Sequence, residues 1–130
     1  MRFLKGLLGA AIPAVGKLSD EWTLRGAART LEFSLRWGRT QAVMSNSSTL
    51  FAVDESGRFY YWADPAGGER FEGTLQYLPM RVRIVSFPAR PLRFFPRGNA
   101  APAGTYVLQG DAGSCRVVVN FAGRIRFQRD

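Results

Sequence analysis

The sequence contains no histidine and a single cysteine, and these shortages exclude several classes of functional site. Without histidine, the chain lacks the most common general base, the serine–histidine triad and the usual ligands of zinc. With Cys115 alone, no disulfide bond can form within the chain. Cys115 begins an apolar stretch, so we interpret it as a small buried hydrophobic residue rather than a nucleophile.

The sequence also lacks an apolar run long enough to cross a membrane. Arg2 and Lys5 precede an apolar run over residues 6–16, in the manner of a signal peptide. A membrane-spanning helix needs about 20 apolar residues, so this run is too short as written. It is consistent with a buried helix start, a signal core or the end of a longer membrane helix. We interpret residues 1–17 as a truncated or atypical end of a membrane helix.

Acidic residues are scarce in the second part of the chain. Residues 81–130 carry nine arginines and two acids, whereas residues 1–80 carry nine basic and eight acidic residues. A basic half attracts nucleic acid, anionic lipid or an acidic protein, although a solvated surface has the same composition. The acids of the first part are spread over turns and loops, and none forms a distinctive pair. We therefore predict no catalytic residue, no cofactor and no metal site, and a protein that is not an enzyme.

Residues 18–46 are predicted to form an amphipathic N-terminal helix that ends near Ser45. Apolar and small residues recur at spacings of three and four, which places them on one helical face: Leu24, Ala28, Leu31, Leu35, Gly38 and Ala42. A second apolar set lies on nearly the opposite face, and these are the candidate subunit-packing residues: Trp22, Phe33, Trp37 and Met44. We expect the first face to cover the chain's own sheet. The second face is costly to leave in water, so we expect a neighbouring subunit and the loop at residues 88–104 to cover it.

Beyond residue 46 the period of the apolar residues changes from that of a helix to that of a strand. About seven short strands are predicted, with a further edge strand: 49–53, 58–63, 71–78, 80–87, 92–95, 105–109, 115–121 and 124–128. Alternation places about half of the aromatic run at residues 59–62 in the core. The predicted fold class is α+β, with a long N-terminal helix packed on antiparallel β-sheets. Residues 47–130 form the β domain, which ends in a basic C-terminal hairpin.

Two groups of short motifs point to a known family. The first is an Ala-Ile-Pro stretch at residues 11–13 that leads into the predicted helix, with an alanine-and-arginine segment at residues 37–42. The second is a Phe-Phe-Pro-Arg-Gly element at residues 94–98, followed by a valine-rich hairpin that contains Gly-Arg-Ile-Arg at residues 123–126. In these motifs the sequence resembles the GspH/FimT group of minor pilins and type II secretion pseudopilins, within the type IV pilin-like superfamily.

This resemblance implies a pilin-like fold and a structural subunit of a type II secretion pseudopilus or a type IV pilus. The implied partners are other pilins or pseudopilins, contacted through the N-terminal helix. The implied location is the inner membrane, with the β domain in the periplasm, provided that a full N-terminus exists. The start departs from the family, because a leader, a peptidase site and an early glutamate are absent before Asp20. A misassigned start, a trimmed chain and a degenerate copy all remain consistent with it, as does a cytosolic domain with a buried N-terminus.

The C-terminal arginines carry the alternative function. Arg124 and Arg126 are two residues apart on a predicted strand, so their side chains share a face, with Arg116 near them and Arg129 on the tail. Clustered guanidinium groups contact phosphates well. In the FimT-type branch that the sequence resembles, a Gly-Arg-x-Arg tail contacts DNA in natural transformation, which makes these four arginines the candidate DNA-binding residues. Protection of an edge strand from aggregation is the other interpretation of the same charges.

Overall fold

The computed structural model describes the backbone of residues 2–129 and the side chains of residues 19–129. The described residues form one long helix, α1 (Arg2–Ser45), and nine strands that follow it. The helix ends at the polar cluster, where Asn46 has a φ of 52° and the Ser47 amide donates to the Ala42 carbonyl at 3.2 Å. Such a left-handed residue is typical of a helix C-terminus, and the predicted end near Ser45 is confirmed.

The membrane interpretation of residues 1–17 stays a prediction. The side chains of these residues lie outside the described part of the chain. Within the part that is described, no helix combines the length and the apolar character that crossing a membrane requires.

The strands form two antiparallel sheets. Their bounds are β1 (Thr49–Val53), β2 (Phe59–Ala63), β3 (Gln76–Tyr77), β4 (Arg83–Ser86), β5 (Leu92–Phe94), β6 (Ala100–Ala101), β7 (Gly104–Gly110), β8 (Gly113–Val119) and β9 (Ile125–Arg129). Sheet A has the strand order β3-β2-β1-β5-β6, and sheet B has the order β4-β7-β8-β9. The predicted α+β class, with the helix first and antiparallel sheets after it, is confirmed.

The largest differences from the predicted strands fall between residues 71 and 82. The strand predicted at residues 71–78 is reduced to β3, because Gly73 has a φ of 77° and the Thr74 hydroxyl donates to the Phe71 carbonyl at 2.7 Å. These two features turn the chain before it can pair. Similarly, β4 begins at Arg83 instead of residue 80, because Arg81 has a φ of 74°. The two-residue strand β6 was not predicted, since two alanines carry no alternating pattern.

The first face of α1 packs on strands of both sheets: β1 and β5 of sheet A, and β7, β8 and β9 of sheet B. Leu31 and Leu35 are buried there, as predicted. Trp62 from β2 lies directly under the helix, and its Nε1 donates to the Ser34 hydroxyl at 2.9 Å. A Cβ atom at Gly38 would lie 1.9 Å from the Trp62 ring, so only glycine permits this approach.

The aromatic hairpin behaves as alternation predicts. Tyr60 and Trp62 are buried in the core, whereas Phe59 and Tyr61 on the opposite face are half-buried. The aromatic run therefore serves packing at its even positions. Burial also raises the pKa of Tyr60 and Tyr106, because it disfavours the phenolate.

Candidate functional site: two interaction surfaces

The second apolar face of α1 remains largely exposed. Trp22 and Phe33 are 71% exposed and Met44 is 76% exposed; we call these three residues the exposed helix face. At 1.5 Å of rise per residue, they extend over about 33 Å of helix. Trp37 differs from them, because it is half-buried and its ring meets that of Trp62 edge-on, with centroids 5.9 Å apart. The structure therefore groups three of the four predicted subunit-packing residues and places the fourth against the core.

The loop at residues 88–104 does not cover this face. It reaches α1 at Arg39, whose Nε donates to the Gly98 carbonyl at 2.8 Å. Arg39 stands between the two apolar faces of the helix. The expectation that this loop packs over part of the second face is therefore wrong. The segment that approaches that face is instead the irregular one after β2, at residues 72–79.

A groove runs between α1 and the segment at residues 72–79; we call it the helix groove. It consists of two cavities of about 450 and 300 Å³, which share Thr30, Tyr60 and Gln76 in their walls. Trp22 lines the first cavity and Phe33 lines the second. The exposed helix face therefore continues into a depression of aromatic and small side chains, a shape that apolar binding sites commonly have.

The second surface is the outer face of sheet B. Cys115, Val117 and Val119 are buried, so the alternation of β8 directs Arg116 to the other side of the sheet. Val118 pairs with Arg126 in the register of β8 and β9, so Arg126 lies on the same outer side.

Arg116 and Arg126 are consequently diagonal neighbours, with Cα atoms about 7–8 Å apart. Ile125 is buried, so alternation also places Arg124 on the outer side, as it does Arg83 beside the buried Ile84. We call these four arginines the basic face. The four strands of sheet B contain no Asp or Glu. Sequence reasoning had not included Arg83. Its strand, β4, joins the same sheet as β8 and β9 only through pairing with β7, which is distant in the sequence.

Arg129 does not belong to the basic face. It stands at an odd position of β9, like the buried Ile125, and its guanidinium pairs with the Glu21 carboxylate of α1. The same side of β9 meets the helix twice more. The Arg29 guanidinium lies 4.0 Å from the centre of the Phe127 ring, and Arg36 donates to the Ile125 carbonyl at 3.2 Å. These contacts hold β9 against α1, with its other side turned outward.

Two turns meet beside the basic face. The turn at residues 95–99 contains Gly98 at a φ of 88°, and the turn at residues 120–124 contains Gly123 at a φ of 85°. The Ala100 amide donates to the Phe121 carbonyl at 2.9 Å, which joins the two turns. We call the pair the twin turn. Arg97 and Arg124 are the chain neighbours of its two glycines, and both are exposed. Sequence reasoning missed Arg97, although each arginine stands next to a glycine.

Residues of the types that bind metal ions are not clustered in the described part of the chain. Within residues 19–129, no three of the Cys, Asp and Glu residues lie together in a possible metal site. The chemistry that the two surfaces offer is therefore contact: apolar burial on the exposed helix face, and binding of negative charge on the basic face.

Comparisons with known proteins agree with this architecture. The structure is similar to the minor pseudopilin EpsH from the type 2 secretion system of Vibrio cholerae, with a TM-score of 0.67 and 14% identity over 80% of this chain and 94% of that chain. It is also similar to the type IV minor pilin FimU of Pseudomonas aeruginosa, with a TM-score of 0.69 and 18% identity over 86% of this chain and 92% of that chain. At these identities the similarity shows the pilin-like fold.

Sequence comparison shows the family. No protein of curated function matches the sequence. The family described as Type II transport protein GspH matches residues 27–123, which include most of the packed part of α1 and the strands β1 to β8. With this match over most of its length, the chain belongs to the GspH family of minor pseudopilins and pilins.

Proposed function

We propose that the protein is a structural, non-enzymatic subunit of a type II secretion pseudopilus or a type IV pilus. In this role the exposed helix face contacts neighbouring pilin-like subunits. The observation that carries the proposal is the line of Trp22, Phe33 and Met44, each more than two-thirds exposed on a helix whose other face is buried from Leu24 to Ala42. Large apolar side chains aligned on one surface are typical of a protein interface.

Burial of this face would contribute free energy to assembly. Fully burying one large apolar side chain contributes about 1.5–3 kcal/mol. Three side chains that are mostly exposed in the single subunit therefore provide about 4–6 kcal/mol on burial. The helix groove adds further apolar surface beside them. Contacts of this size are weak singly and become stable when a subunit touches several neighbours, as in a filament.

Alanine substitution tests this role. The variant W22A/F33A/M44A is compared with V85A/F121A, which removes exposed apolar side chains from other parts of the surface. Each variant is co-expressed with the other pilin-like subunits of the same system, and association is measured by co-purification. We expect the first variant to lose association and the second to retain it. Equal association of both variants would contradict the role of the exposed helix face.

A deletion strain tests the wider proposal and separates the two systems. Loss of protein secretion indicates a pseudopilus, and loss of pili indicates a pilus. If secretion and piliation both remain intact and no subunit associates with the protein, the structural role is refuted. We also propose an inner-membrane anchor and a periplasmic β domain, which the family and the continuation of α1 back to Arg2 support. Membrane fractionation of the full chain tests the anchor, and protease protection in spheroplasts tests the side.

We propose as a second candidate function that the basic face binds DNA, as a minor pilin acting in DNA uptake would. The observation that favours it is the shared outer position of Arg116, Arg124 and Arg126 on a sheet without acids. In a salt series, each lost phosphate contact should reduce the slope of log K against log salt by about 0.9.

The variant R116Q/R124Q/R126Q should therefore bind a DNA duplex more weakly and with a flatter salt dependence. R129Q is the matched control, because Arg129 lies on the same strand but pairs with Glu21 on the helix side. Fluorescence anisotropy with a 20-base-pair duplex measures both quantities. Equal binding by the triple variant and the wild type would refute this assignment.

A further inference from the structure

We propose that the twin turn extends the DNA surface, with Arg97 contacting phosphates beside Arg124 and Arg39 acting as the positioning residue for both. This inference rests on the DNA-binding role proposed above. It concerns residues outside the C-terminal Gly-Arg-Ile-Arg motif, and it follows from the contact between two turns that are distant in sequence.

The two turns approach each other so closely that their relative position is fixed. A Cβ atom at Gly123 would lie 1.8 Å from the Gly98 carbonyl oxygen, so the backbones are in direct contact. Arg97 directly precedes Gly98, and Arg124 directly follows Gly123. Given 3.8 Å between consecutive Cα atoms, the Cα atoms of the two arginines lie within about 14 Å of each other. Their long side chains can therefore reach nearby phosphates of one strand.

Arg39 locks this contact from the helix. Its Nε donates to the Gly98 carbonyl at 2.8 Å. A Cβ atom added at Gly98 would lie 2.9 Å from the Arg39 guanidinium, and one added at Gly123 would lie 2.8 Å from it. The guanidinium thus fills the space behind both glycines. Because it bonds a backbone carbonyl of one turn and packs against the glycine of the other, Arg39 fixes the spacing of Arg97 and Arg124.

The arrangement of charge favours a phosphate backbone over an acidic protein. The turns at residues 95–99 and 120–124 contain no Asp or Glu. The Asn120 side-chain oxygen already accepts a hydrogen bond from the Arg124 backbone amide at 2.9 Å. Arg124 and Arg126 stand two residues apart, with about 7 Å between their Cα atoms, and Arg97 adds a third positive charge on the turn bonded to theirs. A group of positive charges with no acid among them matches the repeated negative charge of double-stranded DNA, in which each strand has one phosphate for every 3.4 Å of helix axis.

The test compares R97Q with R70Q in the full chain. Arg70 is exposed beside β2, stacks on Tyr61 and undergoes the same charge change. Anisotropy of a fluorescein-labelled 20-base-pair duplex is measured from 50 to 200 mM KCl. We expect R97Q to weaken binding about tenfold and to lower the salt slope by about 0.9, while R70Q stays near the wild type. Equal curves for R97Q and R70Q would overturn the inference, even where R124Q/R126Q still weakens binding.

Amide hydrogen exchange tests the positioning role without DNA. In R39Q, the amides of Gly98, Ala100 and Gly123 should exchange about tenfold faster, because a charged hydrogen bond that holds the two turns is lost. In R97Q their exchange should be unchanged. R39K keeps a charged donor and should recover part of the protection and of the DNA affinity. Unchanged exchange in R39Q would overturn the positioning role. A wild type that shows no salt-dependent DNA binding would instead refute the DNA function itself.

Discussion

Replacing Gly38 by alanine tests the packing between α1 and sheet A. A Cβ atom there would lie 1.9–2.4 Å from three ring atoms of Trp62, whereas ordinary carbon contacts are about 3.5–4 Å. The indole must therefore move by about 1.5 Å. Because the ring also contacts Trp37 and bonds the Ser34 hydroxyl, this movement disturbs both of those contacts.

The expected cost follows from four contributions. Overpacking costs about 1–3 kcal/mol, loss of the indole hydrogen bond about 1 kcal/mol, and loss of the aromatic edge contact about 0.5–1.5 kcal/mol. The better helix propensity of alanine offsets about 1 kcal/mol of this loss of stability. The net expectation for G38A is a loss of about 3 kcal/mol, which corresponds to a fall in Tm of about 10 °C for a domain of this size.

Gly26 provides the matched control on the same helix. A Cβ atom there would meet nothing within 4 Å, so only the propensity contributes. G26A should therefore gain about 1 kcal/mol. Urea denaturation followed by tryptophan fluorescence measures both variants. If G38A is as stable as G26A, the close approach of Trp62 to the helix is refuted.

Buried hydroxyl and thiol groups provide three further tests. Burial raises the pKa of Tyr60 and Tyr106 above the usual 10.0, so an absorbance titration should find both side chains still protonated well above that pH. The free energy of unfolding should fall as pH rises past 10.0, because these tyrosines ionise first in the unfolded chain. Thr49 is buried and donates to the Gly38 carbonyl at 2.9 Å, so T49V should lose about 1–2 kcal/mol in urea denaturation; stability equal to wild type would contradict the value of this bond. Cys115 is 3% exposed and should react with a thiol reagent about 100-fold more slowly in the native protein than in urea; equal rates would contradict its burial.

The sequence predicted those parts of the fold that a short-range pattern determines. The helical period identified Leu31 and Leu35 as core residues, and the alternation in the first hairpin separated Tyr60 and Trp62 from their neighbours. The placement of Trp37 depended on more than its helical position. Gly38 allows Trp62 to approach the helix, and Trp37 then packs on that ring, which joins residues of two distant segments.

The basic surface shows the same limit. Alternation from the buried Ile125 puts Arg124 and Arg126 on the same side, and it would also have separated Arg129, which stands at an odd position in β9. Arg83 and Arg97 carry no such signal, because they join this surface only through sheet pairing and through the contact between two turns. Tertiary contacts of this kind leave no local pattern in a single sequence.

The separation of the two surfaces has a consequence for many copies together. The exposed helix face borders the groove beside sheet A, whereas the basic face lies on the outer side of sheet B, across the core from the helix. Subunit contact and DNA binding therefore do not compete for the same side chains. In the proposed filament, each added copy would present another basic face to the same DNA molecule. Weak single contacts would then act at high effective concentration, and the hold on DNA would increase with the number of copies assembled.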